Sequence, residues 1–253
     1  MSRAAAAAVS LFAFALPAST NSDGTGLAIS AWPARTVVVA PGRATVGVGN
    51  PGGEPVQVVA RAQGYALDAR GRPRIQAPGA RWLVVRPERF VVPPHAARSV
   101  RVSVRRPNGV RPGDHAQLVL LSTEPPAGGR LVARLRLGVV VDVRVPGKLV
   151  HRLAAGAVRV RRGPRWTILE LVVANRGNVD EWLGRGRVGV SLVRGGWRLA
   201  SRPIAARRLL ARSSGVIEAR FRSAFRGRVD AVVELRQPGG RIVTVRRRYH
   251  LRL

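Results

Sequence analysis

Cysteine is absent from the 253 residues, which removes disulfide frameworks, thiolate zinc sites and thiol nucleophiles together. Stability must come from packing. Lysine is nearly missing as well, since Lys148 is the only one. Acidic residues number 13 against 44 basic ones, so a formal net charge of +31 is carried almost wholly by arginine. The few histidines, His95, His115, His151 and His250, are scattered, and neither HExxH nor GxSxG occurs. Asp180-Glu181 is the only adjacent acidic pair, and behind an Asn-x-Gly turn it reads as a solvated loop. The chain is therefore expected to be no enzyme, with no catalytic residues, no metal site and no cofactor. Aromatic residues make up 5% of the chain, and its tryptophans, Trp32, Trp82, Trp166, Trp182 and Trp197, lie far apart. They form no stacking platform interleaved with basic residues, and most fall in strands where a core position is expected.

Long apolar runs are equally scarce. The one apolar stretch of length is Ala4 to Leu16, preceded by Arg3 and followed by Pro17, Ala18 and Ser19. A positive start, an apolar run and small residues make a signal peptide over residues 1–18, with cleavage expected after Ala18. Leu16, three residues before the cut, leaves an uncleaved anchor as the alternative. Residues 19–26 read as a flexible lead. No later segment has the roughly 18 consecutive apolar residues of a membrane helix, so no transmembrane span is expected in the mature chain.

What remains is β-patterned. Apolar residues recur at period two in short runs punctuated by Gly and Pro, and no stretch offers an uninterrupted 3.6-residue period. Strands are expected over 27–31, 36–40, 44–49, 55–62, 82–92, 98–105, 115–122 and 130–145, then over 156–161, 166–174, 187–193, 207–211, 215–222, 228–236 and 241–252. Arg207 to Arg212 also suits a helical turn. The fold class is all-β: tandem immunoglobulin-like sandwiches over residues 27–147 and 156–253, joined by a linker at 148–155. Two strands end alike, in Asn50-Pro-Gly and in Asn175-Arg-Gly, which suits turns that need positive φ and suggests related modules. The positive excess is shared, with 19 basic and 7 acidic groups over residues 21–148 and 24 and 6 over 149–253. Such a field attracts polyanions, whether it was selected or reflects a codon bias that also enriches Ala, Gly, Val and Pro.

The succession ARTVVVAPG at 34–42, the strand ending in Asn50, WLVVRPERFVVPP at 82–94, RPGDHAQLVLLS at 111–122 and RLRLGVVVDVRVPG at 134–147 resembles a known family. It is similar to the N-terminal immunoglobulin-like domain of periplasmic pilus-assembly chaperones, and to the related WxL-interacting envelope proteins, over about residues 28–146. His115 stands where that family often has a corner tyrosine; Asp114-His115 reads as a turn aspartate and a histidine satisfied by backbone. The second module lacks a clear match to the family's C-terminal domain.

The resemblance implies that two basic residues hold a client's terminal carboxylate, and Arg35 and Arg136 match best, with Arg134 a rival for the second. It also implies that the last strand of the first module lends alternate apolar side chains to a client. Here those are Leu135, Leu137, Val139, Val141 and Val143, a row that either faces the core or borders an unpaired binding edge. The expected function is that of an exported, periplasmic or extracellular envelope protein. It binds a protein client or surface-protein subunit, chaperone-like in pilus-type or other surface assembly. An anionic wall polymer or lipid headgroups are the alternative partner; nucleic acid is disfavoured by the export signal.

Overall fold

The computed structural model of the protein describes residues 28–76, 78–105, 109–124, 134–184, 186–222, 225–236 and 244–252. The expected signal peptide and flexible lead lie outside the described residues. The first half folds into β1 (Ser30–Trp32), β2 (Arg35–Val39), β3 (Gly42–Asn50), β4 (Val56–Leu67), β5 (Pro73–Gln76), β6 (Leu83–Arg86), β7 (Arg89–Val92), β8 (Ala96–Val104), β9 (Gly113–Glu124) and β10 (Arg136–Val145). The second supplies β11 (Leu153–Gly163), β12 (Trp166–Asn175), β13 (Glu181–Leu183), β14 (Val188–Arg194), β15 (Trp197–Pro203), β16 (Arg207–Leu209), β17 (Ser214–Phe221), β18 (Arg228–Arg236) and β19 (Thr244–Arg252).

Two cores form, one per half, as the alternation demands. Val46 and Val48 of β3, Val100 and Val102 of β8, Val119 and Leu121 of β9, and Val139, Val141 and Val143 of β10 meet in the first. Leu169, Leu171 and Val173 of β12 and Val229, Ala231, Val233 and Leu235 of β18 meet in the second. The β-branched valines suit a pleated, half-buried surface, and each one buried contributes roughly 1.5 kcal/mol or more. The chain is a tandem β-sandwich protein.

The sheets repeat one plan. In the first sandwich β1-β3-β8-β6 faces β2-β10-β9-β4-β5, with β7 also on β4. In the second, β11-β12-β17 faces β15-β14-β18-β19, and β13 pairs β16. Thus β1, β3 and β8 correspond to β11, β12 and β17, and β4, β9 and β10 to β14, β18 and β19.

Asn50 and Asn175 close the equivalent strands and are each 2% exposed. Asn50 Oδ1 accepts from Gly52 N at 2.9 Å, while its Nδ2 donates to the carbonyls of Glu54 at 2.7 Å and of Val92 and Pro93 at 3.2 Å. Asn175 Oδ1 accepts from Gly177 N at 2.9 Å, and Nδ2 donates to Val179 O at 2.7 Å, Leu210 O at 3.1 Å and Leu209 O at 3.4 Å. One buried amide therefore ties the same turn to the same neighbouring strand in each sandwich.

Some elements differ from expectation for identifiable reasons. The stretch 82–92 is two strands in different sheets, β6 on β8 and β7 on β4; Pro87 lies between them and has no N–H to continue a ladder. β5 and β15 were not expected because they are edge strands without alternating burial. Residues 207–209 are a strand and not a helical turn, and β11 starts at Leu153, inside the expected linker.

Candidate functional site

The two sandwiches meet where the β9 turn of the first approaches the Asn175 turn of the second. Gly113 has φ +116, and an added Cβ would fall far inside contact distance of the Asn178 carbonyl oxygen. Asp114 N donates to that same oxygen at 2.7 Å. Asn178 Nδ2 donates to Pro112 O at 3.0 Å and Lys148 O at 2.8 Å, and its Oδ1 accepts from Val150 N at 2.6 Å.

A chain of charges, buried at its acids and at Arg208 and partly exposed at Arg144 and Arg35, continues the seam. Asp114 is gripped by Arg144, Nε to Oδ1 at 2.7 Å and Nη2 to Oδ2 at 3.0 Å, and its Oδ2 also accepts from Asp180 N at 2.9 Å. Asp180 Oδ1 accepts from Ala211 N at 2.6 Å. Arg208 donates from Nη2 to both Asp180 and Asp142, and Arg35 donates from Nε to Asp142. Asp142 and Arg208 are only 7% and 9% exposed in their side chains, while Arg208 Nε is buried without a partner among the described residues. Burial works against the ionised Asp114, but the Arg144 bonds and the Asp180 N–H outweigh it and hold the carboxyl below its ordinary range. For Asp180 burial prevails over the pull of Arg208 and raises the carboxyl. Asp180-Glu181 is thus no solvated loop: Glu181 is 2% exposed and receives Arg187 at 2.6 Å and the His151 ring at 2.8 Å.

Above this seam opens a cleft of about 740 Å³, walled by both sandwiches. Arg35, Tyr65 and Val140 line one side and Trp182, Arg207 and Arg208 the other. The alternation of β13 buries Glu181 and Leu183 and turns Trp182 outward, 54% exposed. The Arg35 guanidinium sits 5.8 Å from the centre of the Trp182 ring. Burial also raises the Tyr65 hydroxyl, the first of several influences on it. Arginine forks beside an aromatic face suit a carboxylate-bearing chain end.

Arg35 lies in this cleft; Arg136 does not. Arg136 lines a separate cavity of about 500 Å³ with Arg61 and Arg134, on the outer face of the β4-β9-β10 layer. Arg136 and Val140, the residue beside Arg35, are four positions apart, roughly 13 Å along a strand. The apolar row divides as well. Val139, Val141 and Val143 face the core, whereas Leu135 and Leu137 are half-buried. β2 pairs in parallel with Val140–Arg144, which leaves the edge of β10 without a β2 partner over 136–139 and at Val145. His115 Nε2 meets Arg111 O at 2.8 Å, the expected backbone-satisfied corner, but Asp114 is a seam residue. Of the tryptophans, Trp82 packs half-buried against the first core as expected, whereas Trp32, Trp182 and Trp197 are 49%, 54% and 81% exposed.

No family model matches the sequence, and no curated protein matches it. Solved structures do. A chaperone–tip adhesin complex of CFA/I fimbriae biogenesis aligns over 87% of this chain and 98% of that one, at 11% identity and a TM-score of 0.54. The class 5 fimbriae chaperone CfaA aligns over 88% and 98%, at 12% identity and a TM-score of 0.51. The protein has the pilus-chaperone fold. Both sandwiches take part in the likeness, so the chaperone architecture extends past the 28–146 in which the sequence resemblance was found.

Within that fold, Asp142 and Arg208 escaped sequence reasoning, and Asp180 reads from sequence alone as part of a solvated loop. Asp142 is the one acid in the strand RLGVVVDVRV, and that lone acid was the available signal.

Proposed function

We propose that this protein is a non-catalytic periplasmic chaperone-like component of the envelope that holds a protein client during pilus-type or other surface assembly. The client strand adds to the open stretch of β10 at 136–139, beside Leu135 and Leu137, and its terminal carboxylate is held by Arg35. What supports this reading is the position of Arg35 at the head of that open stretch. β2 begins there, paired in parallel with Val140 onward. A client strand laid parallel to β10 in line with β2 would end against Arg35, carboxylate first. Arg136, one strand-length back, would act on the client's flank and not on the same carboxylate.

The test is capture of surface subunits encoded beside this chain, with free and with amidated C-termini. Arg35→Ala should weaken capture of the free acid by about 2 to 3 kcal/mol, and amidation should remove most of that difference. Arg136→Ala should act chiefly through the salt dependence of binding. Affinity for the free acid that is unchanged in Arg35→Ala at moderate salt rules the anchor out.

A further inference from the structure

The end of the second sandwich opposite the cleft carries a feature that client binding does not use. β14 and β15 are joined by Gly195-Gly196, both at positive φ, and Trp197 follows at 81% exposure, the most exposed large apolar side chain described. Leu199 is 40% exposed on the same strand. Nothing lies within 4 Å of a Cβ built on either glycine, so the turn projects freely.

The register shows what surrounds it. Thr167 pairs with Phe221, so the start of β12 and the end of β17 share this end of the sandwich, while Ala174 and Ser214 share the seam end. Arg220 lies over the Trp166 ring at 5.8 Å, and Arg194 donates from Nη2 to Arg226 O, tying the neighbouring turns together. Arg165, Arg194, Arg198 and Arg226 are all exposed there, and the described residues of these turns include no acid. Asp230, farther along β18, is already engaged by His250 at 2.8 Å and Arg248 at 3.4 Å.

We propose that this end docks on an anionic lipid bilayer, with Trp197 and Leu199 entering the headgroup–acyl boundary and the surrounding guanidiniums meeting lipid phosphates. Indole prefers that boundary because one part of it is apolar and its N–H is satisfied by water or headgroups. Arginine stems lie on apolar surface while their heads reach charge. The narrow β14–β15 turn, with Trp197 as its one tryptophan, is a poor match to the roughly 800 Å² per partner of a stable protein interface, and a good match to a fluid surface. Docked this way, the protein would hold its cleft away from the membrane.

The full chain is mixed with phosphatidylglycerol vesicles carrying brominated acyl chains, and tryptophan emission is read against phosphatidylcholine vesicles. Quenching is expected on phosphatidylglycerol, lost in Trp197→Phe and retained in Trp182→Phe, whose indole belongs to the cleft. Arg194→Gln with Arg198→Gln should lower the quenching-detected partition about 25-fold, taking about 5-fold per arginine at the surface. Equal quenching in Trp197→Phe and the unaltered chain overturns the proposal, as does absence of quenching in the unaltered chain.

Discussion

Replacing Asn175 by alanine removes one side-chain acceptor and one amide donor from a site 2% exposed. Gly177 N loses its partner at 2.9 Å, and the carbonyls of Val179 and Leu210 lose theirs at 2.7 and 3.1 Å; the 3.4 Å bond to Leu209 is long enough to discount. A net hydrogen bond contributes about 1 kcal/mol, and a group left buried and unsatisfied costs about 1 to 3. Some relaxation toward water is available at a turn, so Asn175→Ala should destabilise the second sandwich by about 3 to 5 kcal/mol. Against a typical domain stability of about 5 to 15 kcal/mol that is a large fraction. Asn50→Ala removes an almost matching set of bonds and should cost the first sandwich a similar amount. The assay is guanidinium unfolding followed by the fluorescence of single-tryptophan variants retaining Trp82 or Trp166, one in each half, so that the transitions are assigned separately. Each alanine should shift the transition of its own sandwich more than the other. A change below about 0.5 kcal/mol in either variant would refute the claim that these amides bracket the turns.

Gly113→Ala forces a Cβ toward the Asn178 carbonyl at a φ of +116; it should destabilise by at least about 2 kcal/mol and expose the seam to hydrogen exchange around Asn178. Asp114 has a depressed folded pKa, so its contribution is present above the unfolded value near 3.8 and is lost as pH falls through the lower folded one. Asp114→Asn should therefore flatten the pH dependence of unfolding free energy below 3.8, and an equally steep acid loss in the variant would contradict that. An exported product should begin after Ala18; N-terminal sequencing that returns an intact Met1 on the soluble protein would show the leader is kept.

The β class and most strand positions were legible because Val and Leu alternate with polar residues and glycine and proline interrupt them. Asn50 and Asn175 were legible because a strand followed by Asn-x-Gly is a local signal. Local pattern failed where the answer was non-local. β5 and β15 are edge strands whose pairing, and not their burial, makes them strands. Asp180-Glu181 looked like a loop because nothing nearby in sequence announces Arg208, Arg187 or the arriving first sandwich. Trp182 and Trp197 lie in β13 and β15, which period two does not mark: Trp182 takes the outward position of a three-residue strand, and Trp197 stands on an edge strand with almost no burial. Arg136 matched the anchor by its strand, but four residues of β rise separate it from the neighbour of Arg35.

The parallel pairing of β2 with β10 has a consequence for how such a protein survives at high concentration. A strand kept open for a guest is also open to copies of itself, and a long open edge templates sheet growth. Here half of that edge is sheathed by five residues of the same chain, with Pro33 and Pro41 on either side of them, whose missing N–H groups cannot extend a ladder. The remaining gap is short. On the reading proposed above it would give a guest held by its terminus something to grip, while four open residues are too few to template sheet growth between copies.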